Sequence, residues 1–423
     1  MTGVGDRVTV EIEAIAHGGH CVARYEGRVI FVRHAIPGEQ VEVMITGLGP
    51  KGRYLQADAV RIIRPSSDRV EAPCEYASLC GGCDFQHVQL SRQRELKAEV
   101  LREQLTRLGG VEAIDGRPLA EAIQVVAVPG DNEGLNWRTR VRYAIDDSGQ
   151  VGFRRHHSHT VVPIEVCALA TPELTSIGVQ NHAWPNSRDV IAVAASTGDR
   201  VAIPEPTHVG TPARSLPVDV AVPGLRGRGW VRELAGGREW RVAADGFWQV
   251  HPGAAEALVT YVREVLQPQE GERLLDLYSG VGLFAGLLAA DLGPTGTVDA
   301  VEVSITACSD ARRNLHDVPT VRIHQSAVDT WLTSQQGTDV DIVVLDPPRG
   351  GAGRRVIESI FDLAPRAVAY VACDPAALGR DIGYARAVGW DVASVRGFDL
   401  FPMTHHMEAV ALLVPYAGAR NNR

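Results

Sequence analysis

No stretch of this sequence is long and apolar enough to span a bilayer: the most apolar run, Val281 to Ala290, has about half the length a spanning helix needs. The first residues, Met1 to Asp6, lack the basic and then apolar pattern of a secretory signal, so no membrane partner and a cytoplasmic location are expected. Basic charge is in short supply as well. Lys and Arg number 42 against 51 Asp and Glu, a net charge of -9, which argues weakly against a nucleic-acid partner and makes the placement of the cations matter more than their total. Cysteine is scarce, seven residues in 423, and in a reducing compartment clustered thiols favour metal binding or catalysis over disulfides. A chain this long is not expected to be one compact domain.

The N-terminal runs Arg7 to Ala14, Gly19 to Tyr25, Arg28 to Val32, Gln40 to Leu48 and Gly52 to Ile63 are separated by the turn formers Gly18-Gly19, Glu26-Gly27 and Pro37-Gly38. This spacing predicts a small five-stranded barrel ending near Pro65-Ser66-Ser67-Asp68. Between Ser91 and Leu108, Leu96, Val100, Leu101, Leu105 and Leu108 form a helical stripe that Gly109-Gly110 terminates, a helix that must pack on something large. From Trp137 to Arg241, β-like runs broken by Pro and Gly suggest a sheet with long loops. From Trp240 onward strands and helices alternate: helix 254–266, strand 273–277, helix 283–290, strand 297–301, helix 305–315, then strands 342–345, 367–371 and 409–414. That rhythm is α/β, a doubly wound sheet.

Reactive side chains end several of these strands. Asp276-Leu277-Tyr278-Ser279-Gly280-Val281-Gly282 follows a strand and opens a helix, and Glu302 closes the next strand. Gly280 and Gly282 let the backbone approach a ligand, and a carboxylate at Glu302 can grip ribose hydroxyls. The third glycine of a dinucleotide fingerprint is missing and an acidic strand end precedes the loop, so S-adenosylmethionine is favoured over NAD. Asp346-Pro347-Pro348 alone would suggest amino methylation, but Arg349 stands where an aromatic residue is expected. Cys373 ends another strand, and is either a small hydrophobe there or a nucleophile. A thiolate adding to C6 of a pyrimidine makes C5 nucleophilic toward a methyl sulfonium, after which a base must remove the C5 proton; Glu408, before the last strand, offers that base.

Two further clusters stand out. Cys74, Cys80, Cys83 and Cys167 run as Cys-x5-Cys-Gly-Gly-Cys plus one distant cysteine, which suits a 4Fe-4S cluster better than zinc, whose ligands usually come as two close pairs. Arg138, Arg140 and Arg142 would share one side of an extended strand, either a row for phosphates or a solvated face, with Arg154, Arg155, His156, His157 and His159 soon after.

Taken together these residues resemble the RNA 5-methyluridine methyltransferases, in particular the branch that modifies 23S ribosomal RNA with an N-terminal TRAM domain and a 4Fe-4S cluster. The resemblance is carried by Gly27-Arg28-Val29-Ile30-Phe31-Val32, Ile36-Pro37-Gly38-Glu39, Cys80-Gly81-Gly82-Cys83, Trp137-Arg138-Thr139-Arg140, Gly152-Phe153-Arg154-Arg155 and Phe247-Trp248-Gln249-Val250. It implies a Rossmann-like methyltransferase domain (239–423), an OB-like TRAM barrel (1–65) and an α+β middle domain carrying the cluster (66–238), the helix 91–108 packing on the methyltransferase domain. It also implies a monomer that methylates C5 of a uridine in structured RNA, ribosomal before transfer RNA, with a catalytically impaired RNA-binding scaffold or an RNA 5-methylcytosine methyltransferase as the alternatives. Gln249, Tyr278, Glu302 and Asp346 would contact the cofactor, with Cys373 as nucleophile and Glu408 as proton acceptor. The sequence departs from the family pattern at Ser279, where Cys is usual, at Leu283 and Asp374, where Asn is usual, and at Ser326, near an acidic adenine contact. A carboxylate at Asp374 would be expected to oppose ionisation of its neighbour Cys373, or to alter recognition of the base.

Overall fold

The structure is a computed structural model that describes residues 2–206, 229–335 and 337–416; residues 207–228 of the expected middle domain and 417–423 at the C-terminus lie outside it. Strands β1 (Arg7–Ile15), β2 (Cys21–Tyr25), β3 (Arg28–Arg33), β4 (Gln40–Leu48) and β5 (Tyr54–Arg64) close into a barrel in the order β1-β2-β3-β5-β4. Alternation along these strands sends Val10, Ile12, Ala23, Ile30, Val32, Val41, Val43 and Leu55 inward, which is why they form strands with one dry face.

Helix α1 (Leu90–Arg107) is a wedge with two apolar faces. Leu96 and Val100 join the barrel core, whereas Ala98, Leu101 and Leu105 join the core on one side of the large sheet. Buried Lys97 lies between these faces, its Nζ 2.6 Å from Asp399 Oδ1 and 3.0 Å from the Phe401 carbonyl oxygen. Burying a lysine is costly without such partners, so this contact ties the helix to one place.

After α1 comes β6 (Val125–Ala127), then a five-stranded antiparallel sheet of β7 (Arg140–Ile145), β8 (Val151–Arg154), β9 (Val161–Pro163), β10 (Ser187–Ala194) and β11 (Arg200–Pro206) in the order β9-β8-β7-β10-β11. The hairpin β12 (Trp230–Ala235) and β13 (Arg238–Ala243) follows, with Trp240 wholly buried among residues of the large sheet and its helices. The arginine row differs from expectation. Arg140 is buried and pairs with Glu233 at 3.1 Å, Arg142 pairs with Glu205, and Arg138 donates to the Arg140 carbonyl oxygen at 3.3 Å. Arg138 lies just before the strand, Arg140 is buried against Glu233, and Arg142 is exposed with its guanidinium on Glu205, so the three do not form one open row for phosphates.

The elements from residue 254 onward are α2 (Ala254–Leu266), β14 (Arg273–Leu277), α3 (Leu283–Leu288), β15 (Thr297–Glu302), α4 (Ile305–Asn314), β16 (Val321–Gln325), α5 (Val328–Thr333), β17 (Ile342–Leu345), α6 (Arg354–Asp362), β18 (Ala367–Ala372), α7 (Pro375–Ala387), β19 (Trp390–Asp399) and β20 (Glu408–Pro415). With β6 they form an eight-stranded sheet ordered β16-β15-β14-β17-β18-β20-β19-β6, in which only β20 runs antiparallel to its neighbours. Runs such as Ile342–Leu345 and Ala367–Ala372 are buried throughout, as strands covered on both faces must be. The order turns back at β14, with β15 on one side and β17 on the other, so the carboxyl ends of β14, β15, β17 and β18 open one crevice.

Candidate active site

Two cavities open along that edge. One, of about 400 Å³, is walled by Tyr278, Val303, Ser326, Asp329 and the segment Ala352 to Val356. The other, of about 240 Å³, is walled by Cys373, Asp374, Arg349, His405, His406 and Lys97, and by Ala16 to Gly19 of the barrel. Buried carboxylates stand at the strand ends near both.

The loop after β14 is shaped by its hydrogen bonds. Glu302 accepts from Gly280 N at 3.0 Å through Oε2 and from Ser304 N at 2.7 Å through Oε1, while Asp276 Oδ2 accepts from Ala285 N at 2.8 Å. Gly282 adopts φ 90° before α3, and a Cβ there would lie 2.7 Å from Leu315, so this turn needs glycine. Tyr278 takes φ 63°, a conformation that non-glycine residues adopt rarely and that often marks a functional turn. Asp276 Oδ1 and Ser279 Oγ are buried without a hydrogen-bond partner among the described residues. Orphaned polar atoms in a ligand-facing loop fit a polar cofactor. Gln249 is buried between β13 and α2 and lines neither cavity.

The edge is electrostatically acidic. Burial, with Asp346 and Glu302 nearby, raises the Asp276 carboxyl to about 7. Asp346 keeps some surface open, yet the protein around it excludes enough water to raise its carboxyl to about 7 too. Glu408 is buried and lifted well above the usual carboxylate range, by burial first and then by Asp346, with Arg349 pulling the other way. Asp346 and Glu408 therefore compete for charge in one dry place. Burial, then Glu408 and Asp346, push the Cys373 thiol up to about 12, against Arg349. The pieces suit a nucleophile and a base, but the thiol is protonated until positive charge reaches it.

Asp374 is not a free carboxylate. Its Oδ1 caps α7 by accepting from Ala377 N at 2.8 Å, and its Oδ2 lies 3.0 Å from Nε2 of His17, 357 residues away in sequence. The loop between β19 and β20 is held from the other side: Met403 O accepts from Asp84 N and Phe85 N, and His405 Nδ1 lies 2.6 Å from Asp84 Oδ2.

The four cysteines Cys74, Cys80, Cys83 and Cys167 line one pocket together with Tyr76, Gln86 and Phe153. Gly81 allows this loop to lie on the end of β8, since a Cβ there would be 2.6 Å from His156 N. Among the described residues no three His, Cys, Asp or Glu side chains are gathered so as to hold a metal ion. Beside this loop the segment after β8 exposes Arg155, His157 and His159, and the His156 ring meets His20 of the barrel at 5.9 Å.

The structure thus brings Cys373, Glu408 and Asp346 to one edge, as their strand-end positions predict, and Tyr278, Gly280, Gly282 and Glu302 to the neighbouring turn. His17, Lys97, Asp84 and His405 were not singled out from sequence, because each matters through a partner distant in the chain. The raised Cys373 thiol has a measurable consequence. In the free protein its alkylation by iodoacetamide, read by mass spectrometry of the Cys373 peptide, will climb about tenfold per pH unit from roughly pH 7 to 9, as expected where thiolate is the minor form. A plateau beginning below about pH 8 would contradict the acidic environment described here.

The family models agree with this geometry. A TRAM domain matches residues 2–60, and the tRNA (Uracil-5-)-methyltransferase family matches residues 236–415. An uncharacterized RNA methyltransferase of Streptomyces avermitilis is 47% identical over 435 residues, covering 98% of this chain and 99% of the relative. One from Streptomyces coelicolor is 44% identical over 439 residues, covering 98% and 94%. In fold the chain is similar to the crystal structure of Pyrococcus abyssi tRNA (uracil-54, C5)-methyltransferase in complex with S-adenosyl-L-homocysteine, with a TM-score of 0.69 at 22% identity, covering 96% of this chain and all of that one. A TRAM barrel, a Rossmann-like catalytic sheet and relatives matched over nearly their whole length place this chain in the RNA uracil-5-methyltransferase family, as an S-adenosylmethionine-dependent RNA methyltransferase.

Proposed function

We propose that the protein methylates C5 of a uridine in structured RNA, with Cys373 as nucleophile and Glu408 as base. The observation that carries this reading is the meeting of Cys373, Asp346 and Glu408 at one buried strand edge, beside a cavity roofed by the TRAM barrel. When bound, S-adenosylmethionine supplies an electrophilic methyl group and a positive sulfonium. Tyr278, Gly280, Gly282, Glu302 and Asp346 form its cradle, each Glu302 oxygen retaining a lone pair for a ribose hydroxyl, and Gln249 is assigned to it on the sequence resemblance alone. Once the Cys373 thiol has given up its proton, its thiolate bonds to C6 of the flipped base. C5 would take the methyl group as the methyl–sulfonium bond breaks and a neutral thioether leaves. Glu408, as carboxylate, removes the C5 proton and the Sγ–C6 bond breaks, restoring the double bond and returning the thiolate. Exposed Arg155, His157 and Arg349 are suited to the phosphates and bases around the flipped nucleotide.

The sequence resemblance favours 23S ribosomal RNA, and the descriptions of the family model and the archaeal structure favour transfer RNA. Transcripts of both containing 5-fluorouridine test the chemistry, because fluorine at C5 cannot leave as a proton. A covalent protein–RNA adduct is expected with one of them, and none with Cys373→Ala; an adduct from Cys373→Ala would reject Cys373 as the nucleophile. On ordinary RNA, Glu408→Gln should accumulate the adduct, and undiminished turnover would remove Glu408 from its role.

Cys74, Cys80, Cys83 and Cys167 are read as ligands of a 4Fe-4S cluster. Four soft thiols share one pocket, Gly82 N donates to Cys80 Sγ at 3.4 Å, and three clustered thiols plus a distant one suit a cluster better than the two close pairs usual for zinc. Protein purified without oxygen should be brown and contain iron and acid-labile sulfide in equal amounts, both lost in Cys80→Ser/Cys83→Ser. Stoichiometric zinc without sulfide would contradict this assignment.

A further inference from the structure

The barrel reaches the catalytic loop at one point. Between β1 and β2 the chain turns through Ala16, His17, Gly18 and Gly19, closed by Ala16 N to His20 O at 2.7 Å and Gly19 N to Ala16 O at 3.2 Å. Gly19 adopts φ 80°, and a Cβ there would lie 2.7 Å from that of His405, so the turn is pressed against the loop that leads to Glu408. At its tip His17 meets Asp374, the residue after Cys373. Ala16 to Gly19 also roof the cavity that Cys373 lines.

A pair this open to water, 41% and 26% exposed, adds little stability. What it can change is the charge beside Cys373. Oδ1 of Asp374 is committed to capping α7, and Oδ2 is the oxygen left to act on the thiol or the base; His17 occupies it. Hydrogen bonding to Asp374 raises the His17 imidazole against burial, with Glu103 adding to the rise. Burial works to raise the Asp374 carboxyl, but His17 and the α7 backbone outweigh it and hold it below its ordinary value. Asp374 thus stays ionised while His17 shares its charge.

The geometry points to His17 as a positioning residue of the methyl transfer: the TRAM barrel carries it into the catalytic domain, where it occupies the free oxygen of Asp374, screens that carboxylate from the Cys373 thiol and completes the roof of the pyrimidine pocket. The inference rests on the uridine-methylation reading. It also accounts for an acidic residue beside the nucleophile, which this chain tolerates because a second domain supplies its partner.

A double-mutant cycle on the full chain tests it, with single-turnover adduct formation on 5-fluorouridine transcripts of ribosomal and transfer RNA as the readout. Calorimetric binding of S-adenosylmethionine, in the other cavity, checks that each variant is folded. His17→Ala should slow adduct formation at saturating RNA by about 10- to 100-fold, with half-saturation moved less than about threefold; His17→Gln, which keeps a donor, should recover most of the rate. In an Asp374→Asn background His17→Ala should cost less than about threefold, since no charge is left to screen. Equal losses in both backgrounds, or no loss in either, would overturn the role of His17. A wild type that forms no adduct with either RNA would instead strike the functional reading on which the inference stands.

Discussion

Negative charge held at the carboxyl edge of a single sheet is the constraint on which the rest of this structure depends. Asp276, Asp346 and Glu408 are all pushed toward protonation, and burial, then Glu408 and Asp346, raise the Cys373 thiol. Such an edge is poorly suited to stability and well suited to a ligand that brings positive charge. A bound sulfonium would answer that requirement, favouring the ionised carboxylates and the thiolate together, and on the proposed mechanism it would ready the Cys373 nucleophile and the Glu408 base at once. Arg349, the cation opposing the rise at both Cys373 and Glu408, lies exposed at the mouth where RNA would enter.

Holding such a site requires scaffolding from outside the catalytic sheet. Lys97 of α1 anchors the end of β19 through Asp399 and Phe401, and the cysteine loop grips Met403 and His405. The barrel turn closes over Asp374. Three segments that precede the catalytic sheet in the chain therefore converge on the residues around Cys373 and Glu408. Removing any one of them leaves charged groups at the site without their partners, which binds RNA-facing parts and catalytic parts into one unit.

Much of this was legible in the sequence wherever local pattern decides the outcome. Turn glycines and alternating apolar residues mark the barrel, and uninterrupted apolar runs mark β17 and β18, whose ends carry Asp346 and Cys373. Strand β16, Val-Arg-Ile-His-Gln, was missed because an edge strand has no need of an apolar run. The short β6 was missed because three residues carry no period, although its pairing with β19 places it in the large sheet. The arginines at 138, 140 and 142 show the limit of periodicity, which says that side chains share a side and not which of them is buried in an ion pair. The departure at Asp374 looked adverse for the same reason: its partner lies 357 residues away.

The central claim is that this protein places a methyl group on C5 of a uridine through Cys373. Mapping 5-methyluridine by nucleoside mass spectrometry across ribosomal and transfer RNA, from cells with the gene, without it, and with Cys373→Ala in its place, addresses that claim most directly. The account predicts one uridine that is methylated only when intact Cys373 is present. An unchanged 5-methyluridine map, or a lost methyl group that proves to reside on cytosine, would contradict it.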